Sequence, residues 1–246
     1  MTKLIIGQRD IDCFLFLHTH KVATAKQIHR EVFKNAKTNF YKKLRLYEKL
    51  KLVNRMTGAK DFDLSGVYEL TKKGFNVVRA NKGELIAHQR YKSNSSYHDL
   101  FLVDLRYNIM NRQNVTRYLT ENQIQTRADF DTEKGLVDFK RFHSDALMLL
   151  KSNNSETYLK VAIEFELSDK SIKDYIKKLS DYYSSGDVHA VFYICNDKTT
   201  EARIKKSELE VYKGNKNKIY FIALEKLQTR NQSVTFHSQN GSSITL

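Results

Sequence analysis

The sequence predicts an α/β (α+β) protein of two modules: a small helical module closed by a β-hairpin, then a larger mixed sheet with helices packed on it. Three observations carry that reading. Charge is segregated, because residues 1–92 hold 20 basic and 8 acidic side chains, a balance of +12, whereas residues 93–246 hold 22 and 20, or +2, within a total of +14. Hydrophobic periodicity changes along the chain, from helical spacing in the first third to alternating or continuous apolar runs after residue 143. A polar stretch rich in Ser and Asn, residues 88–97, separates the two regimes and sets the modules at 1–90 and 91–246.

Composition bounds the class. A chain of 246 residues, 41% hydrophobic and 11% aromatic, can build two cores. No apolar run approaches the ~20 residues a membrane helix needs, and MTKLIIGQRD lacks both the apolar core and the cleavage site of a signal peptide. The expectation is a cytoplasmic protein with no membrane partner. Cys13 and Cys195 fall in a helical and a strand pattern and read as buried small hydrophobes, which excludes zinc fingers.

In the first module, residues 9–19 place Ile11, Phe14, Leu15 and Leu17 along one helical stripe. Thr24 is set to cap a second helix through residue 33, with Ala25, Ile28 and Val32 at helical spacing. The third helix, TNFYKKLRLYEKLKL, sets Phe40, Leu44 and Tyr47 inward and leaves a basic face of Lys37, Lys42, Lys43, Arg45 and Lys49. Two short strands around a Gly-containing turn follow, then a further helix. Helix, helix, basic helix, hairpin, helix is the order of a winged helix-turn-helix. Clustered cations displace condensed counterions from a phosphate backbone, so the expected partner is double-stranded DNA. Lys37, Thr38, Asn39, Lys42, Lys43 and Arg45 on the third helix and Lys60 on the hairpin are the candidate DNA contacts.

Past the linker, HDLFLVDLRYNIMNR reads as a helix entering the second module, with His98 and Asp99 at its start. His98 is either a surface or partly buried histidine or a proton-transfer group. Glu121 follows a Thr able to cap a short helix and is a further candidate acid.

The informative stretch is 143–183. His143 and Asp145 lead into an apolar strand, ALMLL; a polar turn follows, then TYLKVAIEFEL. With period two, Val161, Ile163, Phe165 and Leu167 point one way and Ala162, Glu164 and Glu166 the other, so two acids share one face about 7 Å apart. An amphipathic helix over 168–183 and the strand VHAVFYIC follow, which makes the acidic strand central and covered on both faces. Buried like charges are costly unless a cation compensates them. Asp145, Glu164 and Glu166 form an all-oxygen set suited to Mg²⁺ or Mn²⁺.

This order of elements resembles the PD-(D/E)xK restriction-endonuclease-like fold. Asp145 matches its Asp and Glu164 the first acid of its tripeptide, 19 residues on. Glu166 stands where that motif has Lys, so the Lys role passes to Lys170 or Lys173, or Glu166 adds a metal ligand. The whole arrangement, from residue 9 to about 225, resembles the replication-relaxation family and the related MobC-type plasmid mobilisation relaxases. His98, His143, Asp145, Glu164, Glu166 and Lys170 line up with their motifs. The resemblance implies a metal-dependent nickase acting at an origin on a plasmid or mobile element, with relaxosome or coupling proteins as partners. Tyr175, Tyr182 and Tyr183 fall where such folds carry a supporting Tyr, and an aromatic stripe on a helix is more often core. The other reading is a DNA-binding regulator of plasmid replication or transcription whose second module serves dimerisation as a homodimer, without chemistry.

Overall fold

The computed structural model of the chain describes residues 5–34, 37–56, 66–82, 95–127, 129, 133, 135–151, 157–212, 214, 217–227 and 233–246. It is a mixed α/β protein that divides into two compact units, Met1–Asp104 with Gln125–Asp129, and Leu105–Ile124 with Phe130–Leu246.

The first unit opens with α1 (Gln8–His20), which buries Ile11, Phe14 and Leu17 as its periodicity requires. Strand β1 (Val22–Thr24) leads into α2 (Ala25–Ile28) and a π-helical turn over His29–Phe33. Thr24 caps α2: its Oγ1 accepts from the Gln27 N–H at 3.1 Å, and Gln27 Oε1 accepts from the Thr24 N–H at 2.9 Å. Helix α3 (Lys37–Lys49) buries Phe40, Leu44 and Tyr47 against Phe14, Leu17 and Ile28. Then come β2 (Val53–Arg55), β3 (Val67–Leu70) and α4 (Lys72–Lys82). Among the described residues these strands form an antiparallel sheet in the order β1-β3-β2. A Cβ on Gly74 would lie 2.2 Å from the Leu52 carbonyl oxygen, so only glycine lets α4 approach the chain there.

This unit extends beyond residue 90. Helix α5 (Ser96–Met110) contributes its first turns through Asp104. Gln27 Nε2 donates to the Leu100 carbonyl at 2.9 Å, Arg30 pairs with Asp104 at 2.7 Å, and buried Lys21 pairs with buried Asp99 at 3.4 Å. These contacts count that half of α5 with the first unit.

The elements of the second unit in chain order are β4 (Val115–Thr120), α6 (Glu121–Thr126, shared at its end), α7 (Val137–Arg141), β5 (Ala146–Lys151), β6 (Tyr158–Glu166), α8 (Ile172–Ser184), β7 (Ala190–Cys195), α9 (Lys198–Val211), β8 (Ile219–Ala223), β9 (Thr235–His237) and β10 (Ser243–Thr245). Among the described residues its strands form a sheet in the order β10-β9-β8-β7-β6-β5-β4. Strands β5 and β6 are antiparallel, while β6, β7 and β8 are parallel, as crossover helices α8 and α9 demand. Strand β6 is central, and Val161–Glu166 are all buried. One face carries α8 and α9, with Tyr175, Leu179, Tyr182 and Ile204 on Leu147, Ala162 and Val191. On the other, Phe236 of the β9–β10 hairpin stacks on Phe192 at 4.0 Å. Both cysteines are buried.

Candidate functional site

The polar face of β6 builds the site. Alternation puts Ala162, Glu164 and Glu166 on the side covered by α8. In the β5–β6 register Ala146 faces Ile163, and continuing it by one residue sets Asp145 opposite Glu164. Asp145 is half-buried, and its Oδ2 accepts from the Phe165 N–H at 2.7 Å. The Glu121 N–H donates to the Asp145 carbonyl at 2.8 Å, which ties the start of α6 to the same corner.

Glu164 and Glu166 are 1% and 2% exposed, and each is met by a lysine. Lys178 Nζ donates to Glu164 Oε2 at 2.5 Å, and Lys170 Nζ donates to Glu166 Oε1 at 2.7 Å. The Tyr182 hydroxyl donates to the other oxygen of Glu164 and is bonded to Ser144 Oγ at 2.7 Å. One buried phenol thus joins Glu164 to the residue before Asp145. The helix delivers these groups through its stripe: Tyr175, Leu179 and Tyr182 recur at four and three residues, and Lys178 shares that face. Ser171 caps α8, accepting from the Asp174 N–H at 3.2 Å.

Burial pushes the Glu164 carboxyl up to about 7, against the pull of Lys178 and with the charge of Asp145 adding to the rise. Burial likewise raises Glu166 against Lys170. Burial works against the charge on Lys170 and Lys178, but their carboxylate partners outweigh it and hold both above the usual lysine range. The phenols of Tyr182 and Tyr193 are driven well upward by burial and by the Glu164 charge.

Several sequence expectations change here. Among the described residues no group of three or more His, Cys, Asp or Glu is arranged to hold a metal ion. Glu166, expected to be a third ligand, accepts from Lys170. Lys173, one of two candidates for the lysine role, is exposed on α8, while Lys178, which sequence reasoning passed over, contacts Glu164. His143 is exposed in the turn before Asp145 with φ 51°. His98, grouped by sequence with the acids, belongs to the first unit, where its Nδ1 lies 3.8 Å from Asp99. At that helix start Ser95 Oγ accepts from the His98 N–H at 3.3 Å.

A two-carboxylate arrangement does fit a hard cation. Mg²⁺ takes one or two carboxylates and keeps waters and substrate phosphate oxygens, and Asp145 lies near enough to Glu164 for its charge to raise that carboxyl. The hydroxyl of fully buried Tyr193, opposite Glu164 in the β6–β7 register, has no hydrogen-bond partner among the described residues.

In the first unit, Asn39, Lys42, Arg45 and Lys49 are exposed along α3, and so is Tyr41 at 46%. Lys43 is not one of this outward set. Its Nζ lies 2.5 Å from Asp10 of α1, and the Tyr47 hydroxyl donates to the same carboxylate. Burial alone would raise the Asp10 carboxyl, but the hydrogen bonds from Lys43, Tyr47 and the Gly7 N–H hold it below the usual range. Lys37 and Thr38 lie in α3 with side chains outside the described residues, and Lys60 lies outside them altogether.

The replication-relaxation family matches residues 14–189, most of the chain, and the protein belongs to that family. No curated protein and no solved structure matches it. Membership points to a role in plasmid replication or mobilisation. No helix among the described residues is long and apolar enough to cross a membrane.

Proposed function

We propose that the protein binds duplex DNA at an origin-like site through its first unit and nicks it with a Mg²⁺- or Mn²⁺-dependent site on its second. One observation carries the proposal: Lys178 of α8 binds Glu164 on the central strand, while Asp145, just before β5, accepts from the N–H of Phe165, the next residue of that strand. In this reading Asp145, Glu164 and Lys178 stand for the two acids and the lysine of the PD-(D/E)xK pattern, with the lysine supplied by the following helix instead of by position 166.

In this reading Asp145 and Glu164 hold the cation, which supplies charge neutralisation at the scissile phosphate and a more acidic water. Lys178 keeps an ammonium beside the phosphate as negative charge develops there. Tyr182 fixes the orientation of Glu164 through its hydrogen bond. Tyr175 and Tyr182 are 1% and 0% exposed, and Tyr183 gives its hydroxyl to Glu208 at 2.6 Å, so water serves as the nucleophile rather than a tyrosine of α8. The first unit follows the order of a winged helix. The outward residues Asn39, Lys42 and Arg45 of its α3 face the major groove, and origin-bound relaxosome or coupling proteins are the further partners.

The test is nicking of a supercoiled plasmid that carries the cognate origin, with Mg²⁺ or Mn²⁺. Wild type is expected to nick, whereas Asp145→Ala and Glu164→Ala bind the DNA equally well without nicking it. Metal-independent binding with no nicking at the cognate origin would instead favour a silent DNA-binding regulator that uses the second unit to form a homodimer. The lysine already seated on each glutamate favours that second reading.

A further inference from the structure

Tyr193 sits in the middle of β7, its ring stacked on Phe221 at 5.9 Å between centroids and none of its surface exposed. Its neighbours in the strand, Phe192 and Ile194, are apolar, and a phenylalanine would fill the same space. The tyrosine carries a hydroxyl that finds no hydrogen-bond partner among the described residues. A buried donor left in that state costs more than the bond it could make returns, so a tyrosine is a poor choice for packing alone.

The register says where that hydroxyl stands. Strands β6 and β7 are parallel, with Tyr193 paired to Glu164 and Cys195 to Glu166. Directly opposed residues point to the same face, which sets the phenol on the side of the sheet that carries both glutamates. The two other polar groups that reach Glu164 are spoken for: Tyr182 is shared between Glu164 and Ser144, and Lys178 is bound to the second oxygen. Among the described residues, Tyr193 brings to this face a hydroxyl with no partner of its own.

We infer that Tyr193 is a positioning residue of the cation site, its hydroxyl binding a water of the divalent cation held by Asp145 and Glu164. The inference rests on the cation reading given above. A cation with two protein carboxylates keeps several waters, and an outer-shell hydrogen bond to one of them fixes where it stands. The hydroxyl then has its partner in the loaded protein and lacks it in the empty one.

Tyr193→Phe tests this with Mn²⁺ as the probe, read by calorimetry and by thermal melting with and without metal. Removing a partnerless hydroxyl leaves the metal-free variant melting at the wild-type temperature or above, while Mn²⁺ binding weakens about tenfold or more, the usual loss for an outer-shell partner. Unchanged Mn²⁺ affinity in Tyr193→Phe, where Asp145→Ala has lost the site, overturns the role of Tyr193 and leaves the cation reading standing. A metal-free variant that melts below wild type also overturns it, because the hydroxyl would then have a partner within the protein. If wild type and Asp145→Ala bind Mn²⁺ alike, the cation reading falls and this inference with it.

Discussion

Lys178, in the second turn of α8, reaches the central strand and sets its ammonium 2.5 Å from Glu164 Oε2. Glu164 is 1% exposed, so the pair lives in a medium where each partner depends on the other. Removing one member of such a pair leaves an uncompensated buried charge. Lys178→Ala is therefore expected to lose nicking and to destabilise the protein by about 3 kcal/mol. The double variant Glu164→Gln/Lys178→Met should recover much of that stability, a coupling that denaturant melts of the four proteins would measure.

The raised carboxyl of Glu164 gives stability a pH dependence of known sign. Its folded value of about 7 lies above the ordinary 4.5, so the folded protein holds a proton that the unfolded chain has released. That contribution is complete below about 4.5 and is lost as pH rises through 7. Between pH 5 and 7.5 the melting temperature of wild type should fall by a few degrees relative to Glu164→Gln. Parallel curves for the two proteins would count against it.

The Tyr182 hydroxyl bridges Ser144 and Glu164, and both lose a partner in Tyr182→Phe. The cost should be about 1–2 kcal/mol. Because Glu164 is also freed to turn, Mn²⁺ affinity should fall as well, which loss of packing alone would not produce. Ser144→Ala should show the first effect with little of the second.

The basic residues of α3 fall into two kinds. Lys42→Ala and Arg45→Ala remove exposed cations, and each is expected to reduce the slope of log affinity against log salt by about 1. Lys43→Ala should leave that slope nearly unchanged and cost about 1–2 kcal/mol of stability, since its ammonium serves Asp10. Binding isotherms at several salt concentrations, set beside thermal melts, separate the two behaviours.

Much of this was legible in the sequence where periodicity carries the information. The inward stripe of α3 and the alternation across Ala162–Glu166 follow from spacing, and both are observed. What escaped was partnership across distance. Lys43 and Asp10 are 33 residues apart, and nothing local distinguishes Lys43 from Lys42 beside it. Lys178 looks like any lysine of an amphipathic helix until one notes that it falls between Tyr175 and Leu179 on the inward face. Tyr193 is hidden in a continuous apolar run, where a tyrosine passes for another aromatic. Strand β1, only three residues long, leaves too short a pattern to read.

Pairing of β6 along its whole inner length with β7 has a practical side. The family match stops at residue 189, one position before β7 begins, and starts at Phe14, four residues past Asp10. A fragment trimmed to those limits would turn the acid-bearing strand into an open edge, ready to join another chain. It would also cut away the carboxylate that anchors Lys43. The span recognisable by descent is thus shorter than the span that folds, and any working fragment has to run beyond it at both ends.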